Sequence, residues 1–390
     1  MHADSNGITV THVVASVAEG ASGPSYSVPR LCEALAAGDI HVQLFSVGEG
    51  PQEQLKGYRH SQFRQNWKAV PLLSQLRASR SLQSALQLAG ENSDIIHAHG
   101  LWLMPNIYPA SVAMVTGRPL VVSPRGMLSS AALEFSQIRK RVFWWALQES
   151  ALREASCLHA SSEQEYNDIR RAGLRQPVAI IPNGIDIPPK PEGNKSTNDY
   201  RTLLFLGRLH PIKGLEGLVA AWALIENAHS DWQLDIVGPV DNAYAQALRR
   251  TVQDKGIKRV RFIGQLYGAA KNQAYEAADL FVLPTLEDSF ALVIAEALAH
   301  GVPVITTKGA PWQGLNTHGC GWWIDHGVDA LKLALESAMS LERDGLARMG
   351  AAGRDWMQRD FSWGSIARTT ASVYGYLAGR SEQPSCIIVD

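Results

Sequence analysis

Short apolar runs alternate with amphipathic stretches along the chain, the pattern of buried parallel strands joined by crossover helices. In the first half, residues 8–14, 41–46, 94–97, 119–123, 157–160 and 178–181 predict strands. Helices are predicted over 31–37, 76–89, 136–155 and 163–172. Pro29 predicts a late start or a kink for the first of them, because proline has no N–H to give to a helix interior. Residues 182–200, PNGIDIPPKPEGNKSTNDY, show no periodicity and are rich in turn-forming types, so they read as a linker. A second alternating series follows. Its strands are predicted at 202–206, 233–237, 260–263, 280–283 and 303–306, with a short one at 322–324, and its helices at 215–225, 243–255, 273–277 and 292–300. The end reads as helical over 328–341, 345–359 and 365–377.

The expected fold class is therefore α/β: two Rossmann-like, doubly wound sheets, each offering ligand sites at the C-terminal ends of its strands. A ligand touching both would lie in a cleft between them. The expected division is 1–182 for a first domain, 183–200 for the linker and 201–360 for a second domain. Residues 361–378 are expected as a closing helical segment, and 379–390 as a tail.

Composition narrows the function classes. A chain of 390 residues exceeds one ordinary core, and 46% apolar with 19% charged residues is ordinary for a globular protein. A net charge of −1 argues against general nucleic-acid binding. Cys32, Cys157, Cys320 and Cys386 are dispersed and form no C-x-x-C pair, which reads as reduced thiols in a cytosol and no zinc site. The N-terminus lacks a basic region followed by a long apolar one, and no apolar run reaches a membrane span. The expected location is cytoplasmic, with peripheral contact at the inner face of the membrane as an option.

Five segments carry candidate chemistry. The segment PTLEDSFALVIAEALAHG (284–301) sets Asp288 in a loop and Glu296 on a helix expected to begin near Phe290 or Ala291. The free N–H groups of that first turn suit an anion, and flanking acids suit hydroxyls on the same ligand. Asp288 could equally be a plain N-cap, and Glu296 an exposed helix residue, although its Ala and Leu neighbours favour burial with a partner. GRLHPIKG (207–214) puts Arg208 and Lys213 on one strand-to-helix turn opened by Gly207, a pair able to hold a diphosphate. The alternative is a solvated loop. EGASGPS (19–25) supplies Gly20 and Gly23 in a turn able to approach a phosphate, or a tight turn and nothing more. It matches neither a P-loop nor G-x-G-x-x-G. DIIHAHGLW (94–102) ends a strand with His97 and His99, read as facing opposite ways, one to the cleft edge and one into packing. No third ligand stands at a telling spacing, so no metal is expected. VVSPRGM (121–127) sends Arg125 from a strand end, toward a phosphate or into a loop salt bridge.

Together these segments resemble the retaining glycosyltransferases of family 4, with the GT-B fold, over nearly the whole chain, which implies an acceptor-side domain over 1–182, a nucleotide-sugar-binding domain over 201–360 and a helix over 361–378 that packs back on the first domain. The resemblance rests on IPNGID (181–186), GRLHPIKG, the string AADLFVLPTLEDSFALVIAEALAHGVPVITT (277–307) and FSW (361–363); HAHGLW, SPRGML and GCGWW are similar to bacterial polysaccharide-pathway members. It implies that Arg208 and Lys213 contact the donor diphosphate and that Gly20 and Gly23 approach phosphate and acceptor. The family's E-x7-E pair falls on Asp288 and Glu296, implying contacts to sugar hydroxyls and to the nucleotide ribose. Backbone at Ser289, Phe290, Ala291 and Leu292 would meet sugar and phosphate, and backbone at Gly264, Gln265 and Leu266 the base. The chain departs from the pattern at Asp288, where the family has Glu, at Arg125, where many members have His, and at Ala291, where Gly is common.

The implied activity is metal-independent, retaining transfer from a UDP- or GDP-type nucleotide sugar, a co-substrate rather than a cofactor, to a polysaccharide or lipid-linked oligosaccharide. Arg208, Lys213, Asp288, Arg125 and His99 are the candidate catalytic residues. The alternatives are a GT-B-like nucleotide-sugar 2-epimerase and a non-catalytic binding module. Arg139, Lys140 and Arg141, beside Val142, Phe143, Trp144 and Trp145, suggest either an anionic-membrane contact or the cationic outer face of a packed helix.

Overall fold

A computed structural model describes residues 7–18, 23–48, 53–55, 57–70, 74–134, 137–190 and 200–389. The chain forms two units, Met1–Gly184 with Trp363–Asp390, and Ile185–Ser362.

The strands of the first unit are β1 (Ile8–Val14), β2 (Ile40–Val47), β3 (Glu53–Leu55), β4 (Tyr58–Phe63), β5 (Ile95–His99), β6 (Leu120–Ser123), β7 (Cys157–Ala160), β8 (Val178–Ile180) and β15 (Ile387–Ile388). They pair in the order β15-β8-β7-β6-β5-β1-β2-β4-β3, parallel except for β3 and β15 at the two edges. The second unit holds β9 (Arg201–Leu206), β10 (Trp232–Val237), β11 (Val260–Gly264), β12 (Leu280–Leu283), β13 (Val304–Thr307) and β14 (Gly321–Ile324). These are all parallel, in the order β11-β10-β9-β12-β13-β14. The central strands β5, β6, β9 and β12 are buried at every position, as expected of strands covered on both faces.

The C-terminal helix Trp363–Leu377 belongs to the first unit, where Ile366, Val373 and Tyr374 join a core with Val28, Leu31 and Leu35 of helix Gly23–Ala36. Gly184 permits the contact, since a Cβ there would lie 2.3 Å from the Trp363 ring.

Several local expectations need correction. The first helix starts at Gly23, not near Leu31, and continues through Pro29. The proline cost, about 3 kcal/mol, is offset by burial of Val28, Leu31, Cys32 and Leu35. Strands β3 and β4 went unread because 53–63 looks polar; His60 is nonetheless buried and meets Ser46 Oγ at 2.9 Å. Helix Tyr108–Thr116 went unread because YPASVAMVT is apolar without a clear stripe. The expected helix 136–155 is Gln137–Phe143, a π-helical turn at Trp144–Gln148, and Glu149–Arg153.

In the second unit, helix Arg343–Trp356 packs against Gly301, just beyond helix Leu292–Ala299, through bare backbone. A Cβ on Gly350 would lie 1.9 Å from the Gly301 carbonyl oxygen. Gly350→Ala is therefore expected to destabilise the fold by about 2 kcal/mol or more, read as a lower urea midpoint at unchanged slope. An unshifted midpoint would contradict the packing.

Candidate active site

In the second unit the strand order reverses direction between β9 and β12, so the loops leaving these neighbours diverge at a topological switch point. The β9 loop runs through Gly207, whose N–H donates to the Val237 carbonyl, to the short 3-10 turn Pro211–Lys213. His210 caps that turn by accepting from Ile212 N. Gly214 then takes φ 70°, and a Cβ there would lie 2.1 Å from the Pro284 carbonyl oxygen. The β12 loop is tied to this turn because Leu286 N (2.7 Å) and Thr285 Oγ1 (3.0 Å) both donate to the Ile212 carbonyl.

That stitching brings Lys213 Nζ to 2.6 Å from Asp288 Oδ2, a partly buried ion pair. The other carboxylate oxygen accepts from Phe290 N at 3.1 Å and Ala291 N at 2.6 Å. Asp288 thus acts both as a cap of the loop and as the partner of Lys213. Helix Leu292–Ala299 begins two residues later than the earlier of the two expected starts, and Ala291 precedes it at φ 56°. That left-handed backbone costs a non-glycine residue about 1 kcal/mol, which accounts for the family's glycine at this position. No side chain caps this helix, and of its first turn Ile294 N donates back to the Ala291 carbonyl at 2.9 Å. The Phe290 carbonyl accepts from Trp312 Nε1 at 2.5 Å, fixing the loop from behind.

Glu296 is held by Lys271 Nζ at 2.6 Å and by Tyr275 Oη at 2.8 Å. Burial first, then the Glu296 charge, push the Tyr275 phenol well above its ordinary range, so it donates to the carboxylate. Both partners lie on helix Gly268–Ala277, of which only the last turn was legible in the sequence. Gly264 closes β11 at φ 91° and its carbonyl accepts from Gly238 N; Gln265 and Leu266 lead from it to the exposed Tyr267. Arg208 is exposed on the β9 loop and forms no ion pair among the described residues. Ser289 lies between Asp288 and Phe290 in the β12 loop, and Leu292 opens the helix.

In the first unit the order reverses between β1 and β5. Of the predicted glycine turn, Gly20 lies outside the described residues and Gly23 opens the first helix. Arg125 follows β6 at φ 59° and Gly126 at φ 74°, a left-handed pair that turns the chain sharply. The Arg125 guanidinium donates to Asn183 Oδ1 at 2.5 Å and to His99 Nδ1 at 3.3 Å, and its Nε is buried without a partner. Asn183 belongs to the IPNGID segment, which the sequence reading had assigned no side-chain role.

Glu165 was also missed. Its buried carboxylate accepts from Gly126 N (2.6 Å), Ser161 N (2.8 Å) and Ser161 Oγ (2.6 Å), which clamps the Arg125 turn to the loop after β7. The Ser162-x-x-Glu165 spacing, a capping-box signature, was the available signal.

The two histidines of β5 do not face opposite ways. Residues two apart in a strand share a face, and both rings are buried with centroids 4.0 Å apart. A third histidine does join them: His12 of β1 brings a ring nitrogen within 4.8 Å of theirs, where the sequence reading found none. His159 of β7 lies 5.7 Å from His97 between ring centroids.

Burial, then the Arg125 charge and the neighbouring imidazole, lower His12 to about 3. Burial, then the same arginine, lower His159 to about 3. Burial, then their neighbours, hold His97 and His99 well below the ordinary histidine range. The unfolded chain therefore binds more protons than the folded one below pH ~6.5. Stability is present above that pH and is lost as pH falls toward 3. Each of the four is expected to contribute a slope of up to about 1.4 kcal/mol per pH unit. Urea unfolding at pH 7.5 and 5.5 checks this, and uptake of less than one proton on unfolding would contradict it.

Two family models match the chain: "Glycosyl transferase 4-like domain" over residues 22–184 and "Glycosyl transferases group 1" over 186–356. A GDP-mannose-dependent alpha-(1-6)-phosphatidylinositol monomannoside mannosyltransferase of Mycobacterium tuberculosis (strain CDC 1551 / Oshkosh) is 31% identical over 279 residues, 64% of this chain and 71% of that protein. A glycogen synthase of Mycobacterium tuberculosis (strain ATCC 25618 / H37Rv) is 28% identical, over 76% of this chain and 72% of its own length. Among solved structures, sucrose-phosphate synthase from Thermosynechococcus elongatus superposes with a TM-score of 0.71 at 23% identity, covering 96% of this chain and all of that one. Anabaena HepE, solved with UDP-glucose, gives 0.71 at 21% identity, covering 95% of this chain and all of its own. The two Rossmann-like sheets and these likenesses establish the GT-B fold, and the chain belongs to the group 1, family 4-like glycosyltransferases.

Proposed function

We propose that the protein transfers a sugar from a UDP- or GDP-type nucleotide sugar, with retention at the anomeric carbon, to a glycan or lipid-linked acceptor of polysaccharide assembly. The observation that carries this reading is the Lys213–Asp288 pair at the switch point of the second sheet, beside an uncapped helix start. An ammonium has three donors, and Asp288 takes one of them, leaving two for a diphosphate. Arg208, on the same loop, adds a planar fork, and the helix N–H groups add partial positive charge. Asp288, already fixed by three donors, is held where an acceptor for sugar hydroxyls is wanted. Glu296 offers its carboxylate to a ribose diol, with Lys271 and Tyr275 holding it in orientation.

In the proposed step, the acceptor oxygen attacks the anomeric carbon on the face that the diphosphate leaves. The bond from carbon to diphosphate oxygen breaks, and the acceptor's proton passes to the departing diphosphate. The protein's part is positioning and stabilisation of the charge on the leaving group, with no covalent intermediate. Donor choice between uridine and guanosine types draws support from relatives of both kinds, since HepE was solved with UDP-glucose and the mannosyltransferase is named for GDP-mannose.

The acceptor reading draws on the first unit. Beside the π-helical turn lies a cavity of about 410 Å³ lined by Trp102, Leu128, Leu133, Lys140, Trp144 and Trp145. Ile138, Val142 and Trp145 are largely exposed, and Arg139, Lys140 and Arg141 lie among them. Apolar side chains beside cations suit a lipid with an anionic head. No helix among the described residues is long and apolar enough to cross a membrane.

Incubation with a panel of nucleotide sugars and lipid-linked acceptors is expected to give product whose anomeric configuration, read by NMR, matches the donor. Donor conversion without acceptor would favour an epimerase, and binding without turnover a non-catalytic module. Lys213→Ala and Arg208→Ala should each lower kcat/KM by about 100-fold or more with the fold intact, and Asp288→Glu should change donor preference. Near-normal rates in both alanine variants would reject the diphosphate assignment. The chain is also expected to co-sediment with anionic vesicles at low salt, and Trp145→Ala to weaken this; no sedimentation at low salt would reject the lipid contact.

A further inference from the structure

Eight ring nitrogens of four buried histidines in the first unit each have one hydrogen-bond partner, and the bonds join end to end. Arg125 Nη2 meets His99 Nδ1 at 3.3 Å, and His99 Nε2 meets His12 Nδ1 at 2.9 Å. His12 Nε2 meets Tyr374 Oη at 3.4 Å, and Tyr374 Oη meets His97 Nδ1 at 2.6 Å. His97 Nε2 meets Ser123 Oγ at 2.7 Å, Ser123 Oγ meets His159 Nδ1 at 2.9 Å, and His159 Nε2 meets the Ile181 carbonyl at 2.8 Å.

The two ends fix the direction. A guanidinium only donates and a carbonyl only accepts. From the Arg125 end, His99 Nδ1 must accept, so its proton is on Nε2; His12 must then accept on Nδ1 and carry its own proton on Nε2. From the Ile181 end, His159 donates from Nε2 and accepts on Nδ1 from Ser123. Ser123 in turn accepts from His97 Nε2, so His97 Nδ1 accepts from Tyr374. The two deductions meet without conflict at the Tyr374 hydroxyl, which accepts once and donates once. An added proton on any imidazole would set two donors against each other and open the chain.

We propose that this relay is a positioning device. It fixes all four histidines as neutral Nε2–H tautomers, so that His99 presents a lone pair to Arg125. His12, His97, Ser123, His159 and Tyr374 thereby become positioning residues for the Arg125 guanidinium. The relay closes on itself through the chain, because it ends at Ile181 while Arg125 also bonds Asn183 two residues on. The Arg125 guanidinium is hydrogen-bonded by neutral acceptors and forms no salt bridge among the described residues, although the Glu165 carboxylate on the next residue's N–H acts on its charge. The strong lowering of all four histidines by burial agrees with the neutral state the geometry requires. Three of these rings could also hold a metal ion, but every nitrogen it would need is already engaged in the relay.

The activity part of the test rests on the sugar-transfer reading; the tautomer part does not. Long-range proton–nitrogen NMR of the full chain, labelled at histidine, is expected to show four neutral Nε2–H rings at pH 7. One Nδ1–H tautomer or one imidazolium among the four would overturn the relay. Stoichiometric uptake of Zn²⁺ that perturbs His12, His97 and His99 would replace it with a metal site. Tyr374→Phe is expected to shift the His12 and His97 signals and to lower kcat by about tenfold or more, with donor KM within about twofold. If that variant does not fold, Ser123→Ala should lose a similar factor, and Ser123→Thr, which keeps the hydroxyl, should regain it. An unchanged kcat in the folded variants, or equal loss in both Ser123 variants, would overturn the positioning role.

Discussion

Asp288 binds three donors at once, and the second unit's site is organised around that fact. Without its carboxylate, Lys213 loses its anchor, and the N–H groups of Phe290 and Ala291 lose the acceptor that bends the chain into the helix. The two loops concerned come from strands adjacent in space but distant in sequence, β9 and β12. Only parallel pairing puts both loops at the same end of the sheet. An aspartate reaches its own loop amides more tightly than a glutamate would, since it is one methylene shorter. The substitution is thus compatible with a rigid loop, with the reach toward the ligand side reduced.

Much of this was legible in the sequence, for a definite reason. Strand β12 is a continuous apolar run, and β1 and β7 are mostly apolar, so all three could be bounded to the residue. Lys213 and Asp288 were both recognisable because each follows such a run and precedes a helix. What escaped was of two kinds. Polar strands such as β4, and the largely apolar helix Tyr108–Thr116, carry no usable alternation. Partners supplied from distant elements also escaped: Lys271 and Tyr275 for Glu296, Asn183 for Arg125, and His12 and His159 for the histidines of β5. Spacing along the chain holds no record of such pairs. The orientation of His97 and His99 was a different matter, since the period of a strand already places them on one face.

The two units treat buried polarity differently. In the second, carboxylates are paired with cations from neighbouring loops, helices or strands, as in Lys213–Asp288, Lys271–Glu296 and Arg261–Asp235. In the first, neutral imidazoles and hydroxyls satisfy one another inside the core, and the buried charges of Arg125 and Glu165 are met by neutral partners rather than by each other. Desolvating a neutral ring costs far less than desolvating an ion, so such a core tolerates a long polar chain provided every link is made.

The first unit is also discontinuous in sequence. Its sheet edge at β8 is covered by β15, and Tyr374 comes from the last helix, both beyond the whole of the second unit. On the ribosome, residues 7–184 emerge long before these pieces exist. The nascent first unit must wait with an open strand edge and with His12 and His97 lacking the hydroxyl that joins them, while the second unit, contiguous from Ile185 to Ser362, can complete itself. The order of synthesis is therefore the reverse of the order of completion: the half made first is finished last.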